Sequence, residues 1–410
     1  MLRFILLAFA ALVAAAPVSA QSRAETERAF RTWLERTVTP DARARGVSAR
    51  TLATAFDGLT LDWDLPDLAP PGAKPRREEP QRQAEFSNPA RYFDEKKVAQ
   101  LASIGRSKMK EWGKTLTAIE RRYGVPAEIV VAVWGRESGF GTAKMPHPAI
   151  RALATEAFMG ARKESFYPEL LAALQILEED HISFSELRSS WAGAMGQPQF
   201  LPSKFLTHAV DFDGDGKRDI WKSAPDSLAS IANYLKLHGW VEGAHWGVEA
   251  AVPKGVSCTL EGPENGLAPS AWSEMGVTRI GGRALRGSEP GPKAHLLGPA
   301  GTNGPRFIVS ENFYVLKRYN ESDLYALFIG HVADRIAGSG AFSAEWGPAP
   351  KLTRGDVRAM QKRLEAMGYD VGGADGLVGY KTRIAIGLVE ESRGERATCW
   401  PSPAFVEALR

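Results

Sequence analysis

Cysteine is nearly absent from this chain, which has only Cys258 and Cys399 among its 410 residues. Two cysteines so far apart in sequence do not form the disulfide framework that holds small secreted domains together. They either pair in an oxidising compartment or remain two buried thiols. A chain of this length can bury at least one large core without such a framework, and we expect two or three structural units.

A strong charge of one sign is also lacking. The formal net charge is only +3, from 51 basic and 48 acidic residues. So small an excess argues against a nucleic-acid partner. Hydrophobic residues make up 44% of the chain and charged residues 24%. This balance is ordinary for a globular protein and argues against extensive disorder and against a polytopic membrane protein.

Long apolar runs are lacking after residue 20. The exception, "FILLAFAALVAAA" at 4–16, follows Arg3 and precedes the small residues that end at Ala20. This order predicts a signal peptide over residues 1–20, with cleavage after Ala20 and export to the periplasm. An uncleaved anchor is the alternative, but the run is shorter than the ~20 residues of a spanning helix. No cysteine lies near the cleavage point, so we expect no membrane anchor after cleavage.

Helix-period patterns dominate the rest of the chain. They cover about 24–61 and 94–240, and a charged, proline-rich stretch at 64–83 predicts a surface loop between them. Many glycines and prolines then separate short apolar runs over about 247–309. We interpret that segment as a small irregular or β-containing insertion in a mainly α fold.

The C-terminal part of the chain resumes the helical pattern. A helix begins after Ser322 or Asp323, either of which can be its N-cap. We place a first domain at 21–342, a linker at 343–352 and a compact three-helix unit at 353–410. That last unit has almost no ionisable cluster of its own, so binding is its expected role.

One carboxylate lies on the apolar face of a helix. In "VVAVWGRESGFG" at 130–141, Glu137 follows Val133 by four positions and Trp134 by three, so it shares their buried stripe. Burial disfavours the ionised form, and so does the negative end of the helix dipole. Both effects raise the pKa. A carboxyl that stays protonated near neutral pH is suited to protonating a leaving-group oxygen.

The helical spacing alone leaves a structural role for this carboxylate open. Glu137 can instead hydrogen-bond the turn at 139–141, or form a buried salt bridge. The candidate partners for a salt bridge are Arg121, Arg122 and Lys144. Further along, "SSWAGAMGQPQFLPS" at 189–203 combines small residues with uncharged polar ones, as in a segment that lines a sugar cleft. Tight packing around the small residues is the alternative.

Five motifs make the chain similar to a known family. "VWGRESGFG", "WAGAMGQPQFLPS", "DFDGDGKRDIW", "SIANYLKLHGW" and "LKRYNESDLYA" occur in the order and approximate spacing of the lytic murein transglycosylase B family. The resemblance covers about 25–340 and implies a lysozyme-like α+β catalytic domain. The last unit, with "MQKRLEAMGYDVGGADGLVGYKTR", resembles the three-helix peptidoglycan-binding domain often found behind such enzymes. Peptidoglycan glycan strands are the partner that both resemblances imply.

The family resemblance implies roles for individual residues. Glu137 matches the catalytic acid and base. The positions that match contacts to the sugar are Ser190, Gln199, Tyr319, Asn320 and Tyr325. Helix packing is the alternative for Tyr325. Leu201 replaces the family's usual methionine and Pro198 lies inside the "GQPQF" turn, but neither change removes a catalytic group.

A second catalytic carboxylate, which ordinary glycosidases use, is not evident. The neighbouring glutamates lie in ordinary polar helix patterns: Glu156, Glu164, Glu169, Glu178 and Glu179. The resemblance implies a substrate-assisted, non-hydrolytic route instead. Glu137 protonates the oxygen between N-acetylmuramic acid and N-acetylglucosamine, then accepts the proton of the sugar's C6 hydroxyl, which closes on C1 to give a 1,6-anhydro end. A hydrolytic muramidase and a non-catalytic murein-binding scaffold are the alternatives.

The motif "DFDGDGKRDIW" also resembles a calcium loop. EF-hand spacing selects as ligands Asp211, Asp213, Asp215, the carbonyl of Lys217, and Asp219. Position twelve is Lys222, and the family's longer loop implies Asp226 as the closing ligand. Asp226 is alternatively the N-cap of the next helix. We expect a structural role for calcium, since a cation beside Glu137 would favour its ionised form. We expect no organic cofactor.

Overall fold

The computed structural model describes residues 22–70, 89–285, 289–348 and 351–409. The signal peptide predicted at 1–20 and most of the loop predicted at 64–83 lie outside these ranges. Within them, no helix combines the length and apolar character needed to cross a bilayer.

The first part of the chain is helical, as its periodicity predicts. Ser22 and Glu25 form a capping box at the start of the first helix, which satisfies free backbone N–H groups there. After α1 the chain makes a π-helical stretch, Leu34–Val38. The first three helices are α1 (Arg23–Trp33), α2 (Thr39–Ala44) and α3 (Ala49–Phe56).

The central helices build the main core. A 3₁₀ turn at Pro89–Phe93 leads into them. They are α4 (Glu95–Glu111), α5 (Gly113–Tyr123), α6 (Ala127–Ser138), α7 (Ala149–Met159), α8 (Lys163–Glu178), α9 (Pro202–His208) and α10 (Ala224–Leu237). Two short strands, β1 (His147–Pro148) and β2 (Arg188–Ser189), pair antiparallel between them. Helix α6 is buried on nearly all sides, so its sequence is almost uniformly apolar before Arg136.

The insertion forms a four-stranded antiparallel sheet. Its strands are β3 (Gly247–Ala251), β4 (Thr278–Arg279), β5 (His295–Leu297) and β6 (Arg306–Val309), in the order β4-β3-β6-β5. Short α11 (Pro269–Glu274) packs on it. Because side chains alternate along a strand, Phe307 and Val309 join the main core, whereas Ile308 joins the separate core of the insertion.

Two helices return to the main core before the C-terminal unit. They are α12 (Glu311–Asn320) and α13 (Asp323–Ile336). Of the two N-cap candidates, Ser322 is the residue that caps α13, with its side chain accepting from the N–H of Tyr325. Helix α13 contacts both α4 and α6, so it positions the next residues of interest beside Glu137.

The C-terminal unit has a small core of its own. Its helices are α14 (Arg354–Ala366), α15 (Tyr380–Ser392) and α16 (Pro403–Ala408). Met360, Leu364 and Ile386 are fully buried within it. Thr353 and Asp356 form the capping box of α14.

This unit docks on the rest of the protein through covalent and ionic contacts. Cys258 of the insertion and Cys399 form a disulfide bond, which settles the open question about the two thiols. The guanidinium of Arg383 bonds the carboxylates of Glu261 at 2.6 Å and Asp323 at 2.8 Å, and only 3% of its side chain is exposed. One buried cation therefore joins the C-terminal unit, the insertion and α13.

Candidate active site

Glu137 lies in the last turn of α6, and the turn that follows has an unusual backbone. Gly139, Phe140 and Gly141 all have positive φ angles, of 56°, 62° and 82°. This conformation turns the chain sharply and brings the ring of Phe140 back under the helix. A Cβ at Gly135 would lie 2.6 Å from that ring, so a glycine is required there.

The turn is bonded by residues other than Glu137. The N–H of Gly141 donates to Ser138 Oγ at 3.0 Å, and the indole of Trp134 donates to Gln197 Oε1 at 2.7 Å. Gln197 also packs against Gly141, where a Cβ would meet Oε1 at 2.6 Å. The carboxylate of Glu137 is thus left available for other partners.

Tyr325 is the hydrogen-bond partner of Glu137. Its hydroxyl donates to Glu137 Oε1 at 2.5 Å, and its ring is 1% exposed. Burial raises the pKa of Glu137, although the hydrogen bond from Tyr325 and the charges of Arg136 and Lys204 each lower it. Among the described residues Glu137 forms no ion pair, so the structure does not support the salt bridges considered with Arg121, Arg122 or Lys144.

The predicted sugar-contact tyrosines form a stacked pair. Tyr319 and Tyr325 have ring centroids 6.1 Å apart and an interplanar angle of 13°. The hydroxyl of Tyr319 donates to the carbonyl of Pro198 at 2.8 Å, so Pro198 supplies an acceptor that fixes this ring. Tyr325 lies behind Glu137 as its hydrogen-bond donor, a position that gives it a direct part in the site beyond helix packing.

Ser190 and Gln199 are held within their own loop. Ser190 Oγ accepts from the N–H of Ala194 at 3.1 Å. The side-chain amide of Gln199 donates to the carbonyl of Gly196 at 2.9 Å, and its φ is 55°. Gly196 itself abuts Ile220, where a Cβ would lie 2.6 Å from the side chain. Close packing at Gly196 therefore fits the alternative considered for this segment, and contact of Ser190 and Gln199 with a sugar stays a prediction.

Lys204, on α9, is a cation that the sequence gives no reason to select. Its ammonium lies 3.4 Å from the hydroxyl of Tyr234 and 5.9 Å from the ring centroid of Tyr319. Burial lowers its pKa, whereas the charge of Glu137 raises it. The charge of Lys204 thus favours the ionised form of Glu137.

Among the other glutamates, Glu156 contradicts the sequence interpretation. It is fully buried on α7, and burial together with the charge of Asp67 raises its pKa to about 7. Helix α7 is buried on most sides, so the local sequence pattern does not distinguish buried Glu156 from a residue on an exposed face. The charges that act on Glu156 come from Asp67 and Arg162, and those that act on Glu137 come from Arg136 and Lys204. The two carboxyls therefore have different charged neighbours.

The remaining glutamates do support an ordinary role. Glu169 accepts from the N–H and hydroxyl of Ser203, and Glu178 accepts from the N–H of Ser48. Glu179 forms an ion pair with Arg218. Exposed Glu164 lies in the first turn of α8, where a negative charge complements the helix dipole.

The calcium-loop residues divide into two groups. Asp211, Asp213 and Asp226 bring carboxylate oxygens within 4.8 Å of one another. Asp215 and Asp219 lie outside this group, and their carboxylates accept hydrogen bonds from backbone N–H groups of the same loop.

The buried carboxylate of Asp226 holds the calcium loop closed. Its Oδ1 accepts from the N–H of Phe212 at 2.8 Å and its Oδ2 from the N–H of Asp219 at 2.8 Å. Asp226 is not the N-cap of α10, because Ser223 fills that position. Carboxylates gathered this closely fit a hard cation, since oxygen ligands suit calcium and the cation would offset their repulsion.

Asn320 lies apart from the Tyr319–Tyr325 pair, in an open cleft. The cleft has a volume of about 1060 Å³ and is lined by the helical body and the C-terminal unit. Gly135 and Arg136 of α6 also line it, whereas Glu137 and Tyr325 do not.

Known proteins share this fold and these motifs. The family model described as Transglycosylase SLT domain matches residues 29–334. The membrane-bound lytic murein transglycosylase B of Escherichia coli (strain K12) is 32% identical over 234 residues, which cover 55% of this chain and 62% of that protein. The chain thus spans less than two thirds of the length of this curated relative.

Two solved structures extend the comparison. SltB3 from Pseudomonas aeruginosa, in complex with NAG-NAM-pentapeptide, is 38% identical and has a TM-score of 0.83. The match covers 93% of this chain and 99% of the SltB3 chain. SLT35 from Escherichia coli, in complex with calcium, is 30% identical and has a TM-score of 0.52. That match covers 62% of this chain and 80% of the SLT35 chain. These matches confirm the family resemblance and the mainly helical fold predicted from the sequence. The chain belongs to the transglycosylase SLT domain family.

Proposed function

We propose that the protein is a lytic transglycosylase that cleaves the β-1,4 bond between N-acetylmuramic acid and N-acetylglucosamine in peptidoglycan. The observation that carries this proposal is a carboxyl with a raised pKa and one hydrogen-bond partner. Burial raises the pKa of Glu137, and among the described residues only Tyr325 donates a hydrogen bond to its carboxyl. Since Tyr325 donates to Oε1, the proton of the neutral acid resides on Oε2. That proton passes to the glycosidic oxygen as the bond to C1 breaks.

The second half of the reaction uses the same carboxylate as a base. The acetamide oxygen of the muramoyl residue stabilises the positive charge at C1. Ionised Glu137 then accepts the proton of the C6 hydroxyl. The oxygen of that hydroxyl bonds to C1 at the same time, which leaves a 1,6-anhydro end. Tyr325 and Lys204 favour the ionised state that this step requires. An intramolecular nucleophile needs no second carboxylate.

Mass spectrometry of fragments released from purified peptidoglycan tests the proposal. We expect 1,6-anhydromuramoyl ends, because the C6 hydroxyl replaces water as the nucleophile. Reducing ends would instead identify a hydrolytic muramidase. A chain that binds peptidoglycan and releases no fragments would be a non-catalytic scaffold.

The exported location and the C-terminal unit belong to the same proposal. Residues 1–20 have the order of a signal peptide, which would bring the enzyme to the periplasm. The C-terminal helices would hold the glycan polymer, since Tyr380 and Lys381 line an open cleft that Gly135 and Arg136 also line. The disulfide bond is in keeping with an oxidising compartment.

We also propose that the aspartate group binds one calcium ion with a structural role. Asp211, Asp213 and Asp226 would hold the ion, which would tie the loop to the start of α10. In a thermal-unfolding experiment, saturating calcium is expected to raise the Tm by about 5 °C relative to a chelator, because the ion binds only the folded loop. The variant Asp226→Asn should lose this shift, whereas Asp57→Asn, at an exposed site, should keep it. A wild-type Tm that does not respond to calcium would refute the metal site.

A further inference from the structure

The connection between α12 and α13 carries both tyrosines of the candidate active site. Tyr319 lies in the last turn of α12 and Tyr325 in the first turn of α13. The two rings are stacked, and the hydroxyl of Tyr325 donates to Glu137 Oε1 at 2.5 Å. A shift of this connection would therefore move the group that bonds the catalytic carboxyl.

The backbone of this connection contains a residue in an unfavourable conformation. Glu321 has a φ of 49°, in the left-handed region that residues other than glycine seldom adopt. Such a conformation persists where the surrounding contacts fix it. Ser322 supplies one of these contacts, since its side chain accepts from the N–H of Tyr325 at 3.1 Å. Further contacts come from Asp323, the first residue of α13.

Asp323 ties the start of α13 to two other elements. Its carboxylate lies 2.8 Å from the ammonium of Lys317 on α12 and 2.8 Å from the guanidinium of Arg383 on α15. Burial raises the pKa of Asp323, but the charges of Arg383 and Lys317 lower it to about 2. Asp323 is therefore ionised at neutral pH, and the C-terminal unit is bonded to the chain two positions before Tyr325.

Arg383 is itself held in a fixed orientation. Its guanidinium forms two hydrogen bonds with the carboxylate of Glu261, at 2.9 and 2.6 Å, and donates to the carbonyl of Val378 at 3.1 Å. Paired bonds from a planar guanidinium to a carboxylate fix the geometry of both groups. The insertion and the C-terminal unit thus set the position of Asp323 from outside the helical body.

We propose that Arg383 is a positioning residue for the reaction: by holding Asp323, it keeps Tyr325 within hydrogen-bond reach of Glu137. The C-terminal unit then acts on the catalytic acid through the start of α13, in addition to any role in holding the polymer. This inference rests on the proposed transglycosylase activity, and it makes the strength of the acid depend on how the C-terminal unit is docked.

The pH dependence of kcat/KM shows whether Tyr325 still bonds Glu137. The charged and titratable groups that face Glu137 are Arg136 of its own helix, Lys204 of α9, Tyr319 and Tyr325. The hydrogen bond from Tyr325 lowers the pKa of Glu137. Loss of that bond should move the descending limb of the pH profile to higher pH, by about one pH unit.

The test compares this limb in the wild type, Asp323→Ala and Tyr325→Phe. In Asp323→Ala the contact with Arg383 is lost, and we expect the limb to move to higher pH, toward its position in Tyr325→Phe. The direction is diagnostic, because the loss of a negative charge by itself would favour ionised Glu137 and move the limb to lower pH. The double variant should match Tyr325→Phe alone, since both changes act on one hydrogen bond.

Two further variants complete the experiment. Asp370→Ala removes an exposed ion pair within the C-terminal unit and should match the wild type. Asp323→Ser replaces the alanine variant if that protein does not fold, and the same direction is expected. A limb that stays in place or moves to lower pH in the Asp323 variant, or shifts that add in the double variant, would overturn the positioning role alone. A wild type that releases no fragments would refute the transglycosylase activity itself.

Discussion

Glu137→Gln is expected to lower kcat for glycan cleavage by about 10³- to 10⁴-fold. A general acid or base contributes about 10²- to 10⁴-fold to a rate, and in the proposed reaction one carboxyl serves in both steps. Glutamine keeps the shape of the side chain and can still accept from Tyr325, but it cannot transfer a proton. Quantifying the 1,6-anhydro ends released over time measures the loss.

The matched control for this variant is Glu128→Gln, in the first turn of the same helix. It should retain wild-type activity. The Glu137→Gln protein should also unfold at a Tm no lower than that of the wild type at pH 7. The amide of the variant has no ionised form that burial would destabilise. In the wild type the pKa of Glu137 is raised in the folded state, so the free energy of unfolding falls as pH rises from the ordinary pKa of glutamate through the raised pKa. Glu137→Gln activity within tenfold of wild type would contradict the assigned role.

The pH profile of the wild type follows from the same carboxyl. The first step requires protonated Glu137, so kcat/KM should fall as pH rises through its raised pKa. Tyr325→Phe removes a hydrogen bond that lowers this pKa, so the descending limb should move to higher pH in that variant.

Arg383→Met is expected to lower the free energy of unfolding by about 3–5 kcal/mol. Removing one member of a buried ionic group leaves the others buried without a counter-charge. Here Glu261, which is 1% exposed, would lose its cation, and Asp323 would retain only Lys317. Differential scanning calorimetry and denaturant unfolding measure the loss, with the exposed Lys362→Met as the control in the same unit.

A compensating change separates charge effects from packing effects in that variant. Adding Glu261→Gln to Arg383→Met removes one of the stranded carboxylates, so part of the lost stability should return. If Arg383→Met is as stable as the wild type, the ionic contact contributes nothing to docking of the C-terminal unit. Under the proposal that this unit holds the glycan polymer, its loosening should also raise the KM for peptidoglycan.

Local patterns in the sequence predicted what depends on local geometry. Helix periodicity placed Glu137 on the same face as Trp134, and glycines next to it predicted the sharp turn at 139–141. Short apolar runs between glycines and prolines predicted a small irregular or β-containing insertion, and that segment forms a four-stranded sheet. The spacing of aspartates selected the loop that gathers Asp211 and Asp226.

Features that depend on distant contacts were missed. Lys204 faces Glu137 from a seven-residue helix too short to show a clear periodic pattern. Glu156 lies on a helix that is buried on nearly every face. Such a helix has no polar stripe, so the sequence does not show which of its residues are exposed. Arg383 follows the pattern of a surface helix, yet its partner Glu261 lies 122 residues away. Pairings over such separations leave no signal in a local window of sequence.

The sheet of the insertion has a consequence for how variants of this protein are interpreted. Phe307 and Ile308 are covalent neighbours, but Phe307 packs in the main core and Ile308 in the core of the insertion. Cavities made at these adjacent positions would weaken different units, one carrying Glu137 and the other joined to the C-terminal helices by Cys258. Neighbouring positions in β6 can therefore act as separate probes: one reports on the unit that carries Glu137 and the other on the insertion to which the C-terminal helices are bonded.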